Sequence, residues 1–276
     1  MAPAVYESTL FMDMGNENAT KVVYTVDDPS IAAVDDEGRV TGLSTGTTTL
    51  TATLLPSGRT KSVRVKVDTG CKRDEGCPIS RFTDAQPTAW YHDGVHWALE
   101  TGVMNGVGNG RFAPDSSTTR SMIVTMLHRM EGERASEYTM TFKDVPAGKW
   151  YIEAIAWAAE NEIVKGYSAE KFGPEDRLTR EQLVTILERY ARYKGMDVSE
   201  GEKSYLIGFT DAGTISDWAV KAFRWAVNAG IIQGVGGNRL SPATDATRAQ
   251  VATMLMRYDL LPKNTPKAKR ARMLTQ

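Results

Sequence analysis

One stretch of sequence recurs three times in this chain of 276 residues, and every copy closes on Thr-Arg. Each copy carries the same residue types in the same order, among them an aspartate, two tryptophans, a glycine and a proline. The shared positions are Phe82, Asp84, Trp90, Trp97, Gly106, Phe112, Pro114 and Arg120 in the first copy, Phe142, Asp144, Trp150, Trp157, Gly166, Phe172, Pro174 and Arg180 in the second, and Phe209, Asp211, Trp218, Trp225, Gly234, Leu240, Pro242 and Arg248 in the third. Such self-similarity predicts a repeat architecture, in which each unit buries its apolar face against its neighbours.

The repeats have the apolar spacing of helices. Residues 90–101 and 122–130 place apolar side chains three and four positions apart, and Gly102 follows the first run. Each copy therefore predicts a helix, a glycine-rich loop and a second helix. The three units are expected at residues 82–132, 142–194 and 209–260.

The chain before the repeats has the spacing of strands instead. Runs rich in β-branched residues alternate with period two at 22–26, 47–54 and 62–67, and short turn sequences separate them. This pattern predicts a small all-β sandwich over residues 5–68. A linker that contains both cysteines follows at 69–81.

Composition excludes two classes of function. A formal net charge of −1 argues against a broad nucleic-acid surface, and no run approaches the roughly 18 apolar residues that a membrane-spanning helix needs. Residues 262–276 carry several lysines and arginines, two prolines and no acid, so we predict a disordered basic tail there.

No cofactor, metal or catalytic site is predicted. Cys71 and Cys77 could form a local disulfide or stay reduced, and two thiolates are too few for a structural zinc site. Their spacing favours a disulfide, as an extracellular location would. His92 and His96 have the spacing of a metal pair, but no third ligand is apparent. Nucleophile triads and phosphate-binding loops are also missing from the sequence, which predicts a non-catalytic chain.

The repeats resemble the S-layer homology domain through their Phe-x-Asp, Trp-Ala, glycine-to-proline and Thr-Arg motifs, over residues 82–258. The resemblance implies a mostly helical, pseudo-threefold assembly with a central three-helix bundle. It also implies grooves between repeats that bind anionic secondary cell-wall polysaccharide, often pyruvylated, and so hold a protein at the cell surface. Two alternatives are a structural surface-layer or adhesion protein acting through protein contacts, and the anchor fragment of a surface enzyme.

Residues 24–53 resemble the group 2 bacterial immunoglobulin-like domain, which the sandwich would use as a spacer. That family opens with a further strand before the segment matching residues 10–20, and the chain has almost no room for it. We therefore expect either the C-terminal piece of a longer secreted protein or a truncated gene model, and in both cases the signal peptide is expected upstream.

The closing Thr-Arg predicts helix caps. Thr179 with Gln182 and Thr247 with Gln250 fit the capping box, which puts an arginine at the first helical position. A cation there opposes the helix dipole by about 0.3–1 kcal/mol. We therefore expect an anion to offset it, held by free helix N–H groups and the guanidinium.

The alternative for each arginine is an ion pair with a nearby acid. The candidates are Asp115, Asp176 and Asp245. In that case the arginine would pin a loop and would not meet a ligand.

The remaining candidate ligand residues recur with the repeat. Trp97, Trp157 and Trp225 are expected in the core or in a groove wall, whereas Trp90, Trp150 and Trp218 could be partly open, with the core expected for most of the six. The predicted ligand-binding set is Arg120, Arg180, Arg248, Trp97, Trp157, Trp225, Gly106, Gly108, Gly166, Gly234, Gly236, Asp84, Asp144 and Asp211.

The copies also differ. Met122 replaces the capping glutamine in the first repeat, and the loop after Gly166 lacks the later glycines of the other two. The pattern therefore predicts one shared scaffold with unequal grooves.

Overall fold

The computed structural model describes residues 4–5, 21–35, 38, 40–42, 46–68, 71, 76–199 and 206–261. The predicted basic tail at 262–276 and the segment 10–20 lie outside these residues. The chain divides into two compact units, one holding the N-terminal strands and the other holding the repeats. Among the described residues, no helix combines the length and apolarity needed to cross a membrane.

The N-terminal unit is built from antiparallel strands. Its strands are β1 (Ala4–Val5), β2 (Lys21–Val26), β3 (Ala32–Val34), β4 (Val40–Gly42), β5 (Gly46–Leu55) and β6 (Arg59–Asp68). Four of them form a sheet in the order β1-β6-β5-β2, and β3 pairs with β4. Ala32 packs with Leu50, Val65 and Val67, so the two sheets share one small core. The three predicted strands are thus present in β2, β5 and β6.

The repeat unit contains six α-helices in the described residues, two in each repeat. They are α1 (His92–Glu100), α2 (Arg120–Met130), α3 (Ile152–Glu160), α4 (Arg180–Tyr193), α5 (Val220–Asn228) and α6 (Arg248–Asp259). In every repeat a loop joins the first helix to the second, as the apolar spacing predicts.

The helices pack across repeats in a closed order. Helix α3 of the second repeat packs on α2 of the first, and α5 of the third packs on α4 of the second. Helix α1 meets α6 at Gly94, where a methyl group would lie 2.5 Å from the Cα atom of Thr253. The first helix of each repeat therefore covers the second helix of another.

A ring of three main-chain hydrogen bonds joins the segments that lead into the second helices. The N–H of Thr118 donates to the carbonyl of Ala246 (2.9 Å), that of Ala246 to Leu178 (2.8 Å), and that of Leu178 to Thr118 (2.8 Å). All three residues are fully buried. The three copies are therefore tied together at one point of the core.

Thr118 brings a hydroxyl group into this ring. Its Oγ1 is buried and makes no hydrogen bond within the described part of the chain, whereas the corresponding ring residues, Leu178 and Ala246, are apolar. A buried unpaired hydroxyl costs about 1–3 kcal/mol. We expect Thr118→Val, which keeps the shape, to raise the free energy of unfolding by about 1 kcal/mol, measured by urea denaturation.

Thr125 provides the matched control. Its hydroxyl donates to the carbonyl of Ser121 at 3.0 Å, so Thr125→Val removes a hydrogen bond that is already made. This variant should be less stable than the parent chain. A Thr118→Val variant that loses stability as Thr125→Val does would contradict the expectation.

The structure contains no bond between the sulfur atoms of Cys71 and Cys77, so the disulfide stays a prediction. Cys77 is buried directly ahead of the short 3-10 turn Pro78–Arg81, where it packs as a small apolar residue. Cys71 is only half-buried. The two sulfur atoms lie within 4.8 Å of one another.

Candidate functional site

The predicted helix caps are present in the second and third repeats. The hydroxyl of Thr179 accepts from the N–H of Gln182, and the Gln182 side chain accepts from the N–H of Thr179. Thr247 and Gln250 exchange the same two hydrogen bonds, each 3.3 Å long. The capping boxes are therefore confirmed, and the closing arginine occupies the first helical position.

The prediction that free helix N–H groups hold an anion is wrong. The N–H of Arg180 donates to the carbonyl of Thr244 (2.9 Å), and that of Glu181 donates to Pro242 (2.9 Å). The other two helices do the same across repeats: Arg120 and Ser121 donate to Asp176 and Pro174, and Arg248 and Ala249 to Ser116 and Pro114. Because the repeats close on one another, each helix start is already occupied by a neighbouring loop.

The three closing arginines join consecutive repeats. Arg180 donates from Nε to the carbonyl of Leu240 (2.7 Å) and from Nη2 to that of Gln233 (3.4 Å). The corresponding bonds run from Arg120 to Phe172 and Lys165, and from Arg248 to Phe112 and Asn105. These hydrogen bonds thus link the first repeat to the second, the second to the third, and the third to the first.

Burial lowers the pKa of all three closing arginines. All three are buried, and burial lowers the pKa of Arg180 to about 10, with Asp211 acting in the opposite direction. None of the three forms an ion pair with Asp115, Asp176 or Asp245 within the described residues. The arginines do pin loops, as the alternative held, but through main-chain carbonyls.

The aspartate of each Phe-x-Asp motif holds the loop of its own repeat. Asp84 accepts from the N–H groups of Phe112 (2.7 Å) and Ala113 (3.0 Å). Burial alone would raise the pKa of Asp84, but these bonds and Arg111 lower it overall. Asp144 and Asp211 accept in the same way from Phe172 and Gly173, and from Leu240 and Ser241.

The predicted glycines fall into two groups. Gly106, Gly166 and Gly234 lie against the ring of the motif phenylalanine, and a methyl group at Gly106 would approach Cε1 of Phe82 to 2.5 Å. Gly108 and Gly236 instead have positive φ angles of 96° and 50° with open space around them. The first group is needed for packing and the second for the turn.

The tryptophans are distributed differently from the expectation. Trp97, Trp157 and Trp225 are buried in the core, whereas the other set is exposed, by 66% at Trp90, 59% at Trp150 and 56% at Trp218. The expectation that most of the six lie in the core is therefore wrong for the second set. In each repeat the residue that follows the exposed tryptophan is buried instead. Tyr91 is the example in the first repeat, where its ring centroid lies 5.5 Å from that of Trp90.

One groove collects several of these groups. It has a volume of about 370 Å³, and all three repeats line it: Trp90 comes from the first, Arg180 from the second, and the rest of the wall from the third. The residues that line it are Trp90, Arg180, Ile232, Gln233, Gly234, Val235, Gln250, Thr253, Met254 and Arg257. An exposed indole, two guanidiniums and two amides therefore converge on one concave surface.

Arg257 was missed by the sequence reasoning. It donates from Nη2 to Oε1 of Gln233 at 2.9 Å. It lies at the same distance along the chain from the closing arginine as Arg129 and Arg189 do in their own repeats. That recurrence is the signal that could have identified it, but it stands outside the conspicuous motifs.

The interface between the first two repeats has a different surface. Tyr167 replaces the valine found at 107 and 235, and its ring lies 4.5 Å from the guanidinium carbon of Arg120. Phe172 approaches the same guanidinium at 4.7 Å. An aromatic side chain thus covers Arg120, whereas Val235 stands at the equivalent position in the groove of Arg180.

Two families match this chain. The S-layer homology domain matches residues 81–121, 141–184 and 208–252, one match to each repeat. The bacterial Ig-like domain (group 2) matches residues 9–67.

Curated relatives match the chain over part of their own length. The surface-layer 125 kDa protein of Lysinibacillus sphaericus is 34% identical over 168 residues, which are 60% of this chain and 14% of the relative. An amylopullulanase of Thermoanaerobacterium thermosulfurigenes is 29% identical over 63% of this chain and 9% of the relative. The middle cell wall protein of Brevibacillus brevis is 29% identical over 34% of this chain and 9% of the relative. The chain therefore spans less than a fifth of each of these relatives.

Proposed function

The chain carries three S-layer homology domains behind a group 2 bacterial Ig-like domain, and from this premise we propose that it anchors a protein at the bacterial cell surface by binding an anionic cell-wall polysaccharide. The groove that contains Trp90, Arg180 and Arg257 is the observation that carries the proposal. On the same premise we propose that the protein lies outside the cell, at the wall.

The composition of the groove suits a charged sugar. An exposed indole offers a flat apolar face to a pyranose ring, and guanidinium groups pair with carboxylates in a planar fork. The amides of Gln233 and Gln250 can bond hydroxyl groups. A polysaccharide that carries a pyruvyl ketal, which the family resemblance implies, would supply both the ring and the carboxylate.

The arrangement of the repeats favours a pseudo-threefold assembly with related grooves. We propose that the ring of Thr118, Leu178 and Ala246 marks a pseudo-threefold axis and that α2, α4 and α6 form a central bundle around it. The closed order of helix packing supports this arrangement, and so do the hydrogen bonds by which the three arginines link the repeats in a cycle. Related grooves would then lie at the other two repeat interfaces, built from Arg120 and Arg248.

The relatives suggest what the anchor holds. The chain is similar, over part of its length, to part of a surface-layer protein and to part of an amylopullulanase. We propose that the repeats act as the attachment module and that the Ig-like domain spaces the attached part from the wall. The second candidate, lattice formation through protein contacts, is favoured by the surface-layer relative. No catalytic role is proposed for this chain.

Sedimentation with purified cell walls tests the proposal. The whole chain should pellet with intact walls, and mild acid hydrolysis of the ketal pyruvate should abolish the binding. Walls stripped of secondary polymer provide the control for adhesion to peptidoglycan. Binding that survives depyruvylation would contradict recognition of the carboxylate, and concentration-dependent assembly without wall binding would favour the lattice candidate.

Trp90→Ala should weaken wall binding without affecting the fold. The indole is mostly exposed, so its removal should change the free energy of unfolding by less than about 0.5 kcal/mol. Loss of a stacking face should lower affinity roughly threefold to tenfold, measured by calorimetry with solubilised wall polymer. Ile207→Ala is the control, since Ile207 is also an exposed apolar residue but does not line the groove. Equal effects of the two variants would contradict a role for Trp90 in binding.

A further inference from the structure

Two arginines line the same groove, but the fold uses them differently. The guanidinium of Arg180 is buried and is tied through Nε and Nη2 to two main-chain carbonyls. A ligand that pulled on this group would break the link between the second and third repeats. Arg180 is therefore needed to keep the second and third repeats joined, and so to maintain the groove.

Arg257 is held more loosely. Its Nη2 donates to the side-chain Oε1 of Gln233, and its Nη1 lies 3.5 Å from the carbonyl of Ile231. Gln233 is an exposed residue of the loop, so its amide can rotate away at little structural cost. The guanidinium of Arg257 can thus exchange one neutral partner for a better one.

The charge of Arg257 is also uncompensated. It is half-buried in α6, and no carboxylate forms an ion pair with it within residues 76–199 and 206–261. Burial lowers the pKa of Arg257, and no acid raises it in return, whereas Asp211 does so for Arg180. A half-buried cation without a counter-ion, beside an open groove, favours an anion from solution.

We infer that Arg257, and not Arg180 of the Thr-Arg motif, provides the charge that recognises the carboxylate of the glycan, an inference that rests on the proposed function. The carboxylate replaces the Gln233 amide on the guanidinium, and the sugar ring lies on the indole of Trp90. The released Gln233 amide then bonds a hydroxyl group of the sugar. The ligand class is a glycan whose carboxylate lies at the edge of a pyranose ring.

The same position differs in the other two repeats. Arg129 already faces Glu133, with 3.8 Å between Nε and the nearest carboxylate oxygen, and also donates to the carbonyl of Val103. Arg189 forms no ion pair in the described residues, but its positive charge acts on Arg120, which Tyr167 covers. Among the described residues, the groove of Arg257 is therefore the one of the three in which an arginine without an ion pair adjoins a closing arginine that has no tyrosine over its guanidinium.

Arg257→Gln tests the assignment because it keeps a hydrogen-bonding side chain and removes the charge. The probes are the methyl glycoside of an N-acetylhexosamine with a 4,6-pyruvyl ketal and the same glycoside without the ketal. We expect the affinity for the ketal to fall about tenfold or more, and the affinity for the ketal-free sugar to stay unchanged. Both affinities are measured by calorimetry on the whole chain, with thermal unfolding as the check on folding.

Lys221→Gln is the matched control. Lys221 is an exposed residue of α5 in the same repeat, so this variant removes one positive charge away from the groove. It should bind both probes as the parent chain does. A tenfold loss in Lys221→Gln as well would overturn the inference in favour of long-range attraction.

The outcomes separate the inference from the proposed function. If the parent chain binds the ketal and Arg257→Gln binds it equally well, the inference fails and the proposed function stands. If the parent chain binds neither probe nor the intact wall, the proposed function itself fails. Equal loss of both probes in Arg257→Gln would assign Arg257 to groove shape, which also overturns the inference.

Discussion

Arg180→Met is expected to lower the free energy of unfolding of the repeat unit by about 3 kcal/mol. Methionine keeps most of the apolar stem but removes the donors to the carbonyls of Leu240 and Gln233. A buried polar group left without its partner costs about 1–3 kcal/mol. Part of this loss is offset because the buried charge disappears as well.

Urea denaturation followed by the helical circular dichroism signal measures this effect. Arg177→Gln is the control, because Arg177 lies only three residues earlier, is 73% exposed and pairs with Asp245 on the surface. That variant should change stability by less than about 0.5 kcal/mol. If Arg180→Met unfolds at the same urea concentration as Arg177→Gln, the arginine does not join the repeats and the ligand role predicted from its position regains its basis.

Local chemistry was readable from the sequence. The threonine caps at 179 and 247 need only the residues three positions on, and both are present as predicted. The period-two runs of β2, β5 and β6 likewise depend on neighbours along the chain. The caps were predictable because both partners lie within one helix start, and the strands were predictable because the alternation along each run indicates a strand whatever its pairing.

The role of the closing arginines was not readable in the same way. An arginine at the first helical position predicts that some group offsets the unfavourable interaction of its charge with the helix dipole. It does not identify that group. Its partners lie far along the chain, at Leu240 for Arg180 and at Phe112 for Arg248. Sequence periodicity shows that repeats stack, and it does not show which carbonyl of one repeat meets which side chain of the next.

The tryptophans show a second limit. Trp90 and Trp97 are both large and apolar, and the repeat gives them equal weight. Whether a residue at the turn before α1 points inward is decided by competition with the next residue, Tyr91, which is buried. A helical period cannot resolve that competition, because neither residue lies within the helix.

Gly166→Ala is expected to be the most damaging of three equivalent substitutions, with a loss of about 3 kcal/mol in the free energy of unfolding. The added methyl group would meet the carbonyl oxygens of Ser168 and Lys171 and the ring of Phe142. Two of these neighbours are main chain in a tight loop, where the N–H of Tyr167 donates to the Lys171 carbonyl at 2.7 Å. The loop must therefore shift.

The shift would spread beyond the loop because residues on either side of it accept hydrogen bonds from Arg120, at Lys165 and at Phe172. At Gly234 the nearest atom to a methyl group is 3.2 Å away, so Gly234→Ala should cost far less. Gly106→Ala should fall between them, since its closest neighbour at 2.5 Å is the movable ring of Phe82 and the Arg111 carbonyl lies at 2.9 Å. Gly213→Ala, with an ordinary φ and no heavy atom within 4 Å, is the control that should be neutral or slightly stabilising.

Denaturation of the four variants on one urea scale gives the order directly. Equal losses at 106, 166 and 234 would mean that the three loops relax alike and that the repeats are equivalent at this position. The expected ranking instead follows from the loop itself: the second repeat lacks the later glycines that let the first and third loops turn with positive φ at Gly108, Gly236 and Gly237. Its chain folds back more tightly over Gly166, and the same tight loop brings Tyr167 over Arg120. One difference in loop sequence would thus produce both the least tolerant glycine and the most covered arginine.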